Sequence, residues 1–437
     1  MVTKILKINK TLILATTVLC LFIANPNQSL AQNNITHPKL GDILRHVAEN
    51  NPTLKAAREE LNATKELSPK ARAGWLPSLS AETSIFATDI DNSNFGAGTG
   101  ATTKDFSVNL DQPIFRGGRT FAEKARAEDL IHAGEALLKQ YEQDIFLRTA
   151  IAYTDLFRDA QIWTLRQQNE SNLKAEFEAA QERYELGDIT ITDVHQAQVR
   201  YQRAQSSVMS ALSDLEVSEA KFFELTQMLP TGLSRPTYDF PFPNDPEVMI
   251  NMAEKTSPEI WMAQYEFEAQ EHNSDAILRE LFPQISAFAD YNKQFDPQPG
   301  IIDQSETQTI GVRATLALYQ GGATRSRIRE SKKTSKQRWY QIQEVKNRIR
   351  QETTSNWRTL EAAKIITISR EKEIEAAKLA LEGVKTEAQL GQRTMLDVLD
   401  ADDELINAQI GLVRARRDEA VSKFSLAANL GMLTQNL

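Results

Sequence analysis

The residues of this chain best placed to do chemistry are carboxylates at two glycine turns. One stretch reads Leu390-Gly391-Gln392-Arg393-Thr394-Met395-Leu396-Asp397-Val398-Leu399-Asp400. A degenerate copy, Leu186-Gly187-Asp188-Ile189-Thr190-Ile191-Thr192-Asp193-Val194, stands 204 residues earlier. In each, a Leu-Gly pair ends a long proline-free segment and a Thr-x-x-Asp box opens the next. A threonine hydroxyl there can accept from an exposed first-turn N–H, and an aspartate complements the positive end of a helix. Asp397 and Asp400 are i,i+3 and share a helix face. If three copies set this pair around one axis, the six carboxylates would favour cations and resist complete ionisation, because like charges at close range raise one another's pKa. Plainer readings stand beside these: Asp193 and Asp397 as helix caps, Asp400 as one member of a solvated acidic turn with Asp402, Asp403 and Glu404, and Arg393 as a solvent-facing cation.

Other chemistry is sparse. His37, His46, His132, His195 and His272 are scattered without metal-ligand spacing. No nucleophile elbow or metal-binding helix motif occurs. The one glycine-rich run, within 91–100, lacks the Gly-Lys-Ser/Thr ending and the strand-to-helix setting of a phosphate loop. It reads as a plain loop. Neither an enzyme nor a cofactor is expected, and a dedicated metal site is not expected either.

The elements that must position the turns begin after a leader. Lys4, Lys7 and Lys10 precede an apolar run from Leu12 to Ala24, and Ser29-Leu30-Ala31 forms a small-x-small cleavage pattern. Residues 1–31 therefore read as a secretory signal peptide. The only cysteine, Cys20, lies inside that run without the small residue before it that lipid attachment requires. Loss of three lysines takes the net charge from −9 to −12, which disfavours nucleic-acid binding. No later segment has about 18 consecutive apolar residues, so no transmembrane helix is expected. Any membrane contact has to be made by strands.

Strands are present in the pattern. Leu79, Ala81, Thr83, Ile85 and Ala87 alternate with Ser80, Glu82 and Ser84, although Phe86 spoils the polar face. Phe106, Val108 and Leu110 alternate with Ser107, Asn109 and Asp111. An alanine-rich helix running to about Ala73 precedes them. After Phe115-Arg116-Gly117-Gly118 there is no proline through residue 186. As one helix that stretch spans roughly 100 Å, with Ile145, Ala152, Leu156 and Trp163 in its seam. A second helix returns to about Met228, and prolines mark a linker at 231–246.

The second half repeats the first. Ser257-Pro258 follows Asn51-Pro52 by 206 residues, and Phe282-Pro283-Gln284 follows Leu76-Pro77-Ser78 by the same 206. Tyr319-Gln320-Gly321-Gly322 follows Phe115-Arg116-Gly117-Gly118 by 204, as the glycine turns do. Only the loop between the strands changes length, so this is an internal duplication. The repeats span 32–230 and 247–437. The first has strands at about 76–88 and 105–115 and a helical hairpin at about 119–228; the second has strands at about 282–292 and 307–319 and a hairpin at about 323–430. In the second half Ile374, Ala377, Leu381, Val384 and Ala388 space 3-4-3-4, and Leu399, Ile406, Val413, Ala420 and Ala427 recur every seven residues.

Four strands are too few to close a barrel, and open edges cannot exist in lipid. The economical solution is a homotrimer: twelve strands in one outer-membrane barrel, with polar faces lining the lumen, above a cylinder of long helices. The fold class expected is mainly α with a membrane β-barrel, built from two strand-strand-helix-helix repeats.

The double repeat, the two Gly-Gly junctions, Ile191-Thr192-Asp193-Val194 and Arg393-Thr394-Met395-Leu396-Asp397-Val398-Leu399-Asp400 together resemble the TolC family of outer-membrane channel-tunnel proteins, over essentially the whole chain after the leader. The resemblance implies a trimeric exit duct in the outer-membrane lipid with a periplasmic helical tunnel, serving type I protein secretion or drug efflux. It implies a periplasmic adaptor (membrane fusion) protein and an inner-membrane ABC or proton-driven transporter as partners. It also implies that the hairpin tips close the tunnel: Thr192 and Asp193 with Arg393 of a neighbour as closing contacts, Asp397 and Asp400 as a cation-binding constriction, and Leu186, Gly187, Leu390 and Gly391 as the tips that meet the adaptor. Where the best-known member of the family has a gating tyrosine three residues before the glycine, this chain has Ala388. The rival reading is a structural or adhesive surface coiled coil without transport, which explains the heptads but not the four amphipathic strands.

Overall fold

The computed structural model describes residues 40–90, 99–230, 232–235, 240–298 and 302–433. The leader and the glycine-bearing loop segment 91–98 lie outside the described residues.

Period-two alternation becomes one antiparallel sheet of β1 (Ser78–Ile90), β2 (Thr99–Arg116), β3 (Gln284–Gln298) and β4 (Ile302–Thr315), paired in that order. The central pair, β2 with β3, joins the two repeats, with Ser107 opposite Asn292 and Asp111 opposite Phe288. Register puts Ser80, Glu82, Ser84, Ser107, Asn109, Asp111, Asp290, Asn292, Thr307 and Thr309 on one face. The other face carries Leu79, Ile85, Val108, Leu110, Ile310 and Val312, and no other described element lies over most of it: Leu79 is 71% and Ile310 88% exposed. Uncovered apolar surface of this extent marks contact with a membrane or another chain. Among the described residues both outer edges, of β1 and of β4, are unpaired.

The strands overrun the expected lengths at the loop end, reaching Ile90, Thr99, Gln298 and Ile302 through polar residues, because ladder pairing holds them there. At the other end β4 stops at Thr315, short of the expected residue 319. The matching stretch of β2, up to Arg116, pairs with β3, whereas residues 316–319 have no strand beside them in a single chain. A ladder needs a partner.

Each pair of strands passes through a double glycine into a helix. Gly117 and Gly118 have φ of 63° and 80°, and Gly321 and Gly322 have 62° and 85°, the left-handed region that costs other residues about 1–2 kcal/mol. The helices that follow, α4 (Arg119–Glu185) and α8 (Ala323–Gln389), have 67 residues each and return as α5 (Ile191–Thr226) and α9 (Met395–Asn429). Of the 3-4-3-4 seam of α8, Leu381 is buried and Ile374, Ala377, Val384 and Ala388 are half-buried; Leu399, Ile406 and Ala427 of α9 are buried.

Shorter helices brace this frame: α1 (Leu40–Asn50), α2 (Pro52–Lys65) and α3 (Leu67–Arg72) in the first repeat, α6 (Pro246–Thr256) and α7 (Pro258–Leu278) in the second. Asn51 caps α2, its Oδ1 accepting from the N–H of Thr53 and Leu54, while its Nδ2 donates to the Leu225 carbonyl at 2.9 Å. The helix expected to run unbroken to Ala73 breaks at Glu66. Pro69 is the reason, since it offers no N–H and its ring crowds the carbonyl four residues back. The second repeat meets no such proline, and α7 runs its 21 residues intact along α4.

The core lies where the braces, both hairpins and the linker meet: Ile43 and Leu44 of α1, Tyr153 and Leu156 of α4, Met249 of α6, Leu360 of α8 and Leu426 of α9 are all at most 1% exposed. Tyr153 also fastens the linker, its hydroxyl donating to the Ser234 carbonyl at 2.7 Å and accepting the Ser234 N–H at 3.1 Å. Tyr153→Phe leaves both Ser234 groups without that partner and is expected to cost about 1–2 kcal/mol. The check is the denaturant midpoint of the variant, which should fall; an unchanged midpoint means that the linker is held by its apolar contacts alone.

Candidate functional site: the hairpin tips

Each long helix ends because glycine turns it. Leu186 and Leu390 cap α4 and α8, and Gly187 (φ 83°) and Gly391 (φ 72°) follow in the left-handed region. Asp188 N–H then donates to the Arg183 carbonyl and Gly187 N–H to that of Tyr184, both at 2.9 Å. Gln392 N–H to Glu387 (2.9 Å) and Gly391 N–H to Ala388 (3.0 Å) repeat the closure, which satisfies the last helical carbonyls. A Cβ at Gly187 or Gly391 would meet nothing within 4 Å, so backbone conformation alone calls for glycine here.

The returning helices start with reciprocal caps. Thr190 Oγ1 donates to Asp193 Oδ2 at 2.7 Å and accepts the Asp193 N–H at 3.4 Å, while Asp193 Oδ2 accepts the Thr190 N–H at 2.9 Å. Thr394 and Asp397 form the same box, at 2.8, 3.3 and 2.9 Å. The hydrogen bonds hold both carboxyls below the usual aspartate range: for Asp193 the Thr190 hydroxyl first and its N–H second, for Asp397 the Thr394 N–H first and its hydroxyl second. Asp193 and Asp397 are therefore caps in fact, whatever else they do.

Arg393 donates from Nε to Glu387 Oε2 at 2.8 Å, across its own turn. Among the described residues no bond joins it to Thr192 or Asp193; Thr192 is exposed on the first turn of α5. Asp400 is not free either. Arg200 of α5, its side chain only 20% exposed, donates from Nη2 to Asp400 Oδ1 and from Nη1 to Asp403 Oδ2 on α9. Leu173, Ala204 and Leu399 form a buried patch nearby, so an apolar contact and a forked ion pair together join the two hairpins. Asp402 is half-buried on α9, and burial, offset by Lys385, pushes its carboxyl up. Asp400 stays exposed, as a member of a solvated acidic turn would be, but it is paired with Arg200; Asp402 and Asp403 of the same turn are half-buried.

Sequence reasoning missed Arg200. Its signal was faint: it lies seven residues past Asp193, on the helix face that the cap begins. Among the described residues no three His, Cys, Asp or Glu side chains are grouped to hold a metal ion, and no helix is long and apolar enough to cross a membrane.

A free-edged sheet with one apolar and one polar face, set on long hairpins with charged, capped tips, defines a channel protein of the outer membrane. The chain belongs to the outer membrane efflux protein family, whose model matches residues 43–226 and 249–432. It is 30% identical over 387 residues to the outer membrane efflux protein BepC of Brucella suis biovar 1, covering 88% of this chain and 84% of that one. It is 22% identical over 422 residues to the alkaline protease secretion protein AprF of Pseudomonas aeruginosa, covering 89% and 84%. In fold it matches the crystal structure of a membrane protein from Pseudomonas aeruginosa with a TM-score of 0.78 at 16% identity, covering 90% of each chain. The protein is an efflux or secretion channel of the TolC family, a duct and not an enzyme, in the outer membrane with its helices in the periplasm. Channels of this family are trimers.

Two outcomes follow for the tips. Because both caps have depressed carboxyl pKa values, their contribution is complete above the unfolded aspartate value, about 3.9, and is lost as pH falls through the lower folded values. Amide protection at residues 190–194 and 394–398 should therefore drop in that acid window, and Asp193→Asn with Asp397→Asn should remove the pH dependence. Arg200→Ala should cost about 1 kcal/mol, as partly screened pairs do, and should speed hydrogen exchange at residues 396–404 in particular. Exchange unchanged there means that the hairpins are joined by Leu173, Ala204 and Leu399 alone.

Proposed function

We propose that three copies of this chain close their sheets into one barrel and their hairpins into one tunnel, and that the tips form a gate opened by a periplasmic adaptor and an inner-membrane transporter. The observation that carries the reading is the sheet: four strands, one uncovered apolar face, and two unpaired edges. In lipid those edges have to be paired. A surface coiled coil without transport leaves that sheet without a purpose.

At the tunnel end Asp397, Asp400 and Asp403 approach the axis together with Arg200. Three carboxylates and one guanidinium leave a net charge of −2 per copy, so the constriction still favours cations. Arg393 is the movable member. A neighbour's Asp193 and Thr192 draw it from Glu387, an exposed partner worth little in itself. With Ala388 in place of a tyrosine, the closing contact falls to Arg393. The adaptor meets Leu186, Gly187, Leu390 and Gly391, where Leu186 is 78% and Leu390 70% exposed. BepC is named for efflux and AprF for protease secretion. Both uses fit one duct, with cargo chosen by the transporter.

Purified protein in planar bilayers tests this. Wild type should form pores blocked by multivalent cations from the tip side, and Asp397→Ala with Asp400→Ala should abolish the block. An undiminished block would remove these residues from the constriction. Arg393→Ser should raise the resting conductance, whereas an equal or lower value contradicts the latch.

A further inference from the structure

We infer that Phe288, Gly311 and Arg313, together with Phe86, form an aromatic band laid flat on the barrel's inner wall, and that Gly311 sets the bore there by keeping the rings against the wall. The inference rests on the closure into a barrel proposed above.

The polar face of the sheet is built mainly from serine, threonine, asparagine, glutamine and carboxylates, with two aromatic exceptions. Phe86 follows Ser80, Glu82 and Ser84 on that face of β1. Phe288 lies between Ser286 and Asp290 on that face of β3, with Asp111 opposite it on one side and Gly311 on the other. A phenylalanine standing upright from this wall would obstruct the lumen. Phe288 does not stand upright. A Cβ built on Gly311 would come within 2.7 Å of its Cζ and 2.9 Å of a Cε, so the ring lies across the place where a side chain of residue 311 would rise.

Gly311 has no left-handed φ. Its backbone would suit any residue, and a glycine inside a strand weakens it unless something approaches closely. Here the ring is what approaches. Arg313, two residues along the same face, places its guanidinium carbon over the ring, 4.7 Å from its centroid. The wall at this level is thus ring on backbone with guanidinium on ring.

Repeat symmetry extends the band around the barrel. Residues of β2 recur in β4 at +204 and those of β1 in β3 at +206, as the pairs Ser78–Asp111 and Gln284–Thr315 confirm. The β2–β3 junction inside one chain is therefore the pattern for the β4–β1 junction between copies. Ser107 opposite Asn292 becomes Gly311 opposite Phe86 of the next copy. Gly311 then lies between two rings, its own Phe288 and the neighbour's Phe86, and three such sites encircle the lumen. The one residue without a side chain stands between the two residues whose rings have to be accommodated.

The test is the size cut-off of the barrel in planar bilayers, read from the loss of current as polyethylene glycols of graded mass are added on the barrel side only, away from the tips. Gly311→Ala should shift the cut-off to smaller polymers, because the methyl lifts Phe288 off the wall. Phe288→Ala should shift it to larger polymers. The double variant should behave as Phe288→Ala, since without the ring the methyl has nothing to lift; a general weakening of the strand would not be relieved by a second truncation. Gly311→Ala pores with the wild-type cut-off, or a double variant as narrow as Gly311→Ala, overturn the band while leaving the barrel intact. Wild-type protein that forms no pore overturns the closure and the band together.

Discussion

Backbone hydrogen bonding at the edge of a sheet is the constraint on which everything else in this chain depends. β1 and β4 have 13 and 14 residues, and each presents one row of N–H and C=O groups that no strand among the described residues pairs. Water can satisfy such groups, but hydrocarbon cannot, at a cost of several kcal/mol for each one left open. An apolar face calls for lipid while the edges forbid it, unless another copy supplies the missing strand. The helices carry the same demand. α4 packs on α5, α7 and α9, and α8 on α9 and α7, yet neither α5 nor α8 is covered along its whole length. Val199, Met209 and Val217 of α5, and Ile365, Ile366 and Leu379 of α8, remain half or more exposed. Strands and helices both end in a side that needs a neighbour.

Duplication is what makes one neighbour sufficient. Because β2 and β3 already join repeat to repeat within the chain, the surface that joins chain to chain needs no new design. β4 displays the consequence: residues 316–319 match a paired stretch of β2 yet lie outside any strand. Leu316 and Leu318 alternate as a strand should and are 47% and 89% exposed.

Much of this was legible in the residues. Alternation of Leu79, Ala81 and Ile85 with Ser80 and Ser84 marks a two-faced sheet, and Leu381 and Ile406 sit in the buried seams that their spacing implied. The Thr-x-x-Asp boxes gave the helix starts, since a cap is a local interaction written within four residues. What stayed hidden was nonlocal or conditional. The Arg200 fork joins residues 200 apart in sequence, and nothing in either stretch names its partner. Asp402 reads as solvated among Asp403 and Glu404, and only the packing of α9 on α8 buries it. Phe86 looked like an error in a polar face, until the register gave Phe288 the same face and a glycine beside it. Strand ends were hidden as well, because polar residues such as Thr99 and Gln298 extend a ladder only when a partner continues alongside.

The tips show why local and functional readings of one residue need not compete. Asp397 caps α9 with one oxygen, Oδ2, which leaves the carboxylate charge in place for whatever stands across the axis. Whether anything stands there depends on closure, and closure can be measured directly. β1 and β4 lie at opposite edges of the sheet, about 14 Å apart at three strand spacings of ~4.8 Å, too far for a disulfide within one chain. Repeat symmetry puts Thr315 of one copy opposite Glu82 of the next. In the Glu82→Cys, Thr315→Cys double variant, mild oxidation should yield a covalent trimer on a denaturing gel, dispersed by reductant and absent from either single variant. A double variant that remains monomeric under oxidation would contradict the closed barrel.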